Sequence, residues 1–131
     1  MAELSDYMEN KIIEVMRATT FTAVAAYVAL FATDSGLEAG SLAGEIGTAG
    51  GYTRQLAGLS AASGGASSNT ADITFPTATA AWGTITHCAL MDGATIGAGN
   101  VFMHSALDAS KTIASGDTFK VNAGDLDVSL A

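Results

Sequence analysis

From Phe21 onward the chain alternates between strand-like apolar segments and clusters of glycine, serine and aspartate. Residues 26–33 (AYVALFAT) form an unbroken apolar run of strand length, suited to a central strand covered on both faces. Ala71, Ile73 and Phe75 alternate with Asp72 and Thr74, and Pro76 stops that strand or marks it as an edge. Further strands are predicted at 52–59, 84–91 and 101–107. Residues 111–114 and 118–122 flank Ser115-Gly116-Asp117 as a hairpin. At the end, Leu126, Val128 and Leu130 alternate with Asp125, Asp127 and Ser129. Asp34-Ser35-Gly36, Asp92-Gly93 and Ala123-Gly124 supply turn chemistry. About seven or eight short strands between Gly-rich turns predict a mainly β chain: a single antiparallel β-sandwich or jelly-roll-like domain.

One segment breaks the strand period. Met8, Ile12, Val15 and Met16 recur at helical spacing, with Ser5 as N-cap and Asp6 and Glu9 in the first turn. A single N-terminal helix ending near Ala18 follows. It divides the chain into a helical arm over residues 1–20 and a sandwich over 21–131, one structural domain overall. The helix either packs on its own sheet or docks on a neighbouring subunit.

Two stretches carry few bulky residues. Residues 36–51 contain six glycines and read as a long surface loop, ordered by a partner; 60–69 (SAASGGASSN) reads as a flexible one. Much of the 49% hydrophobic content is alanine, so the core is expected to be thin and stability to draw on association. The net charge of −8, with only five basic residues, excludes the basic stripe that nucleic-acid binding needs and disfavours anionic membranes. No apolar run is long enough to span a bilayer as a helix, and the acidic start predicts no secretory signal.

Candidate chemistry is sparse. Cys88 is the only cysteine, so no intrachain disulfide forms. His87 and Cys88 are neighbours on a predicted strand and point to opposite faces, which rules out a thiol–imidazole pair. His104 lies on another strand with no third ligand at metal spacing. Asp125 and Asp127 share a strand face without an EF-hand pattern. Trp82 beside Gly83 reads as a core residue more readily than as a sugar platform. No catalytic residue, cofactor or metal is expected.

The stretches GGYTRQ (50–55) and FPTATAAWGTITH (75–87), with SDYMENKIIEVM before them and AGDLDVSL after, resemble a family of small structural proteins of tailed bacteriophages, often labelled tail fibre proteins. The resemblance implies a structural, non-enzymatic virion component made in the host cytoplasm. Two roles are consistent with it. In the first, the chain is a capsid decoration (cement) protein, whose partners are the major capsid protein and its own copies. Met8, Ile12, Val15 and Met16, with Leu37 and Leu42 of the Gly-rich loop, would make the contacts. In the alternative it is a tail fibre or tail-tip protein that presents Tyr52 or Trp82 to a host glycan or receptor. The lack of heptads and internal repeats favours decoration.

Overall fold

The computed structural model describes residues 3–130; expectations at Met1, Ala2 and Ala131 lie outside them. Along the chain run β1 (Glu3–Leu4), α1 (Asp6–Met16), β2 (Tyr27–Phe31), β3 (Gln55–Leu56), β4 (Ala66–Ser68), β5 (Ile73–Thr74), β6 (Gly83–Met91), β7 (Val101–Ile113), β8 (Lys120–Val121) and β9 (Asp127–Ser129). The fold is mainly β with one α-helix.

The apolar run around Tyr27 becomes β2, an inner strand of a five-stranded antiparallel sheet in the order β1-β7-β6-β2-β3. Both of its faces are covered. Val28 and Leu30 point into the larger core, with Leu90, Met103, Tyr52, Phe75 and Phe119. Ala29 and Phe31 point the other way, with Ala89, Met91, Val101 and Leu37. Two small sheets, β4-β9 and β5-β8, add Ile73, Val121 and Val128 to the larger core, which gives sandwich-type packing.

Three expected features differ. Residues 111–114 and 118–122 are not hairpin partners: the first belong to the 13-residue β7 on β6, and β8 pairs with β5. The turn itself forms, capped by Asp117 Oδ2 accepting from the Ala114 amide at 2.9 Å, but Phe119 then turns into the core beside Phe75 and takes the chain with it. The predicted flexible segment 60–69 contains β4, tied by Ser67–Val128 pairing to the C-terminal strand. The long loop after Asp34 is pinned from within, as described below.

Pairing of the two longest strands is irregular. Ile85 pairs with Lys111, whereas His87, two residues on, pairs with Ala106, five residues back. The extra residues bulge from β7, and the slip lets Ile85, Cys88 and Leu90 all meet the larger core.

Candidate functional site

The sequence resemblance rests most on GGYTRQ and FPTATAAWGTITH, and the structure brings these two stretches together. Arg54 is buried beside Glu45: Nε donates to Oε1 at 2.7 Å and Nη2 to Oε2 at 2.8 Å, a two-pronged ion pair with both side chains nearly sealed from solvent. Its Nη1 donates to the carbonyls of Gly93 and Ala98 at 2.8 and 3.0 Å. Glu45 also accepts from the Gly97 amide at 2.8 Å and the Tyr52 hydroxyl at 3.0 Å. The Leu30 amide donates to that same hydroxyl at 3.0 Å. Burial and the adjacent Glu45 carboxylate push the Tyr52 phenol well above its usual range, so it stays protonated and can donate. One network therefore ties the Gly-rich loop, strand β2 and the 92–100 loop together.

Beside it, Trp82 Nε1 donates to the Gly50 carbonyl at 2.9 Å. The Tyr52 ring stacks on Phe75 at 6.2 Å and meets Trp82 edge-on at 5.5 Å. Gly50 is required here because a Cβ would lie 2.6 Å from the indole Cδ1 and 2.7 Å from the Ala80 carbonyl oxygen. Tyr52 is 1% exposed and Trp82 7%, which overturns the expectation that they face a glycan. They are the core itself.

The residues proposed for partner contacts fall in three classes. Leu37 is fully buried, so it is a core residue with no surface to offer. Asp34 Oδ1 seats it by accepting from the Gly36 and Leu37 amides at 3.0 and 2.9 Å, and Leu42 packs partly buried beside the same cluster. Met8 and Ile12 are half-buried, whereas Val15 is 51% and Met16 74% exposed. Thus α1 does pack on its own sheet, but not by the predicted stripe. Ser5 caps the helix by accepting from the Met8 amide at 3.3 Å, and its buried hydroxyl donates to the Val101 carbonyl. Tyr7 stacks on Phe102 at 6.4 Å and Phe21 meets that ring from another side. These anchors turn the Tyr7 side toward the sheet. Asp6, Glu9, Ile13 and Met16, spaced three, four and three apart, share the exposed side.

Each reactive side chain has an occupation. His87 Nδ1 lies 2.8 Å from the Thr86 hydroxyl. Burial raises the Cys88 thiol to about 11, so it is not a thiolate at neutral pH. His104 Nε2 sits 2.7 Å from Glu38 Oε2. Sequence spacing gave His104 no further ligands, yet the fold brings both Glu3 and Glu38 to it, with ligand atoms within 4.8 Å of one another. The pairing of Glu3 with His104 across β1 and β7 places the first.

A groove of about 340 Å³ opens beside β7. Val28, Leu90 and Met103 line it from the main sheet, and Leu126 and Val128 from the C-terminal segment. Asp108, Asp125 and Asp127 line it as well.

The family model described as "Podophage GP4 fiber I protein gp80" matches residues 3–129. The chain belongs to that family. It is therefore a phage virion structural protein by family, in line with the resemblance read from its sequence. No curated protein matches the chain. The match spans β1 through β9, so the helix and the C-terminal strand are parts of the family's unit.

Sequence reasoning missed Glu45 and Arg54 as partners. A lone arginine after GGYT in an acid-rich chain was the available signal, since so few cations must be shared among so many carboxylates.

Proposed function

We propose that this chain is a non-enzymatic fibre subunit of the virion, which works by joining protein surfaces. The observation that carries the reading is the family match, described as a fibre protein and running over residues 3–129. The chemistry agrees. His104 is engaged by Glu38, His87 by Thr86, and the Cys88 thiol is held protonated, so the groups best suited to catalysis are committed to packing. The scaffold built by Glu45, Arg54, Tyr52 and Trp82 would hold binding surfaces in place instead of reacting. Its partners on this reading are other virion proteins, its own copies included.

A second reading, decoration of the capsid lattice, is favoured by the absence of heptads and repeats in the sequence. Labelling an affinity tag placed at the exposed Gly64–Gly65 turn and imaging intact particles separates the two. Label confined to the tail apparatus supports the fibre subunit. Label spread over the head lattice supports decoration and overturns the fibre reading. Host glycan binding belongs to the fibre reading, but not through Tyr52 or Trp82.

A further inference from the structure

We propose that Glu3, Glu38 and His104 form a binding site for a divalent transition-metal ion of the zinc class, which clamps β1 and the Gly-rich loop to β7. The site goes beyond the reading of the chain as a virion subunit and is independent of its place on fibre or head. Three observations carry it.

The first is the set of ligands. One oxygen from each carboxylate and one imidazole nitrogen lie within 4.8 Å of one another. The tightest pair is His104 Nε2 with Glu38 Oε2 at 2.7 Å. Zinc holds nitrogen and carboxylate oxygen at about 2.0–2.2 Å, so the atoms around it stand roughly 3.3 Å apart. Both glutamates are exposed, and small rotations of their side chains reach that spacing. The imidazole separates this group from an ordinary patch of surface carboxylates. Its side chain is only 7% exposed, so it is a fixed ligand at the base of the group. One nitrogen with two carboxylate oxygens suits zinc and its transition-metal neighbours, whereas magnesium and calcium favour oxygen alone.

The second is how the ligands are held. His104 lies inside β7, paired with Ala89 of β6 on one side and with Glu3 of β1 on the other. Cross-strand partners put their side chains on one face of the sheet, which brings Glu3 to the imidazole. Glu38 comes from the Gly-rich loop. Its carbonyl accepts from the Asp6 amide at 3.0 Å, and Leu37 beside it is fully buried. The backbone of each ligand is thus set by contacts of its own before any ion arrives, and little order has to be created on binding.

The third is the surroundings. Leu4, Glu9 and Asp34 line the same cleft as the three ligands. Asp6, Glu9 and Glu38 form a second group whose oxygens lie within 4.8 Å of one another, so Glu38 is shared by both groups. Carboxylates crowded in this way repel, and a dication among them relieves the repulsion. On binding, the ion takes the place of the proton between His104 Nε2 and Glu38 Oε2, which leaves to solvent. The bound ion then joins β1, the Gly-rich loop and β7 at one point.

The test uses the full, untagged chain with Co2+ and Zn2+ as probes. Co2+ should form a one-to-one complex with visible ligand-field absorption. Zn2+ should displace it and Mg2+ should not. Zn2+ should also raise the thermal midpoint, and a chelator should reverse the rise. Glu3→Gln/Glu38→Gln, two changes at exposed side chains, should weaken Co2+ binding at least about tenfold and abolish the rise with Zn2+. Glu14→Gln, at the far end of α1, should alter neither. In the histidine ring spectrum, Zn2+ should move the signals of His104 and leave those of His87 in place. Absence of a one-to-one complex, undiminished binding to the double variant, equal competition by Mg2+, or ring shifts centred on His87 would each overturn the proposal. None of these results moves the tag label on intact particles, so failure here and failure of the fibre reading are told apart.

Discussion

Two segments without strand structure are fastened to the same sheet by opposite means. The Gly-rich loop is held by Glu45 and Arg54, whose side chains are 2% and 0% exposed, through a network in which every polar atom has a partner. Helix α1 has no buried residue. It is held by a buried cap, a short strand and the stacking of Tyr7 on Phe102. A buried ion pair tolerates almost one geometry, because every other arrangement strands a charge in a medium of low polarity. A helix resting on rings and a cap keeps its position with less demand for fit. The difference separates parts of the molecule that must not move from parts free to meet something else.

The comparison breaks first at Arg54. Arg54→Ala leaves Glu45 buried without its counter-charge and frees the carbonyls of Gly93 and Ala98, so unfolding free energy should fall by about 3–5 kcal/mol. Urea denaturation measures it. Arg54→Met/Glu45→Leu removes both charges and should cost clearly less than the single change. If the double variant is the less stable, the pair contributes more than its mutual compensation and the argument fails.

Gly50→Ala tests the aromatic side of the same region. The added methyl lies too close to Trp82 and the Ala80 carbonyl for either to ignore. Overpacking of this kind costs about 1–3 kcal/mol, and the lone tryptophan should report it as a changed emission maximum. Wild-type emission and stability together would show that the loop can back away, contrary to a rigid tie.

These two regions also show how much of the structure was legible. Period-2 alternation located β5, β6 and β9, the apolar run located β2, and the strand expected over 101–107 found the first half of β7, since burial on one or both faces writes itself directly into the sequence. The Ser5 cap was legible because capping is local. Strand partnership was not. Ser115-Gly116-Asp117 makes a turn, but whether its flanks pair depends on where Phe119 finds room. Glu45 and Arg54 are nine residues apart in a stretch with no period, and no local rule joins them. The helix face was misread for a similar reason: Phe102 lies 95 residues from Tyr7 and decides which side turns inward. For the candidate site, the terminal alternation gave Leu126 and Val128 their inward direction, but the groove they border depends on a slip in β7 that only the paired strands reveal.

Smaller effects are expected where the helix and the Gly-rich loop begin. Ser5→Ala removes the acceptor for the Met8 amide and the donor to the Val101 carbonyl, and should cost about 1–2 kcal/mol. Thermal melts followed by circular dichroism check it. Asp34 works through the backbone amides of Leu37 and Gly36, which hold its carboxyl below the usual 3.8. A depressed folded value means its contribution is complete above the ordinary carboxylate range and lost as pH falls through the lowered value. Asp34→Ala should therefore flatten the acid limb of the stability curve and leave the curve's shape above pH 5 unchanged. A difference in slope that appears only above neutral pH would assign the titration to another group.

The smallest effect on stability should come from the outward side of α1, and there it sharpens the comparison most. Ile13 and Met16 are 52% and 74% exposed, so Ile13→Ser/Met16→Ser removes little burial and should change unfolding free energy by no more than about 0.5 kcal/mol. Exposed apolar residues at helical spacing, next to Asp6 and Glu9, are the composition of a contact face and contribute nothing to the isolated chain. If that face joins the chain to the virion, the double variant should be present in particles at a reduced level while its urea midpoint is unchanged. Removing residues 1–18 cannot make this distinction, because it also strips β1 from β7 and the Ser5 hydroxyl from Val101. Full incorporation of the double variant would place the helix with the scaffold, as a cover for Phe102, and leave the contact role to other surfaces. A lowered midpoint would mean that Ile13 and Met16 contribute to the fold after all, and the contrast between a sealed tie and an open helix would narrow accordingly.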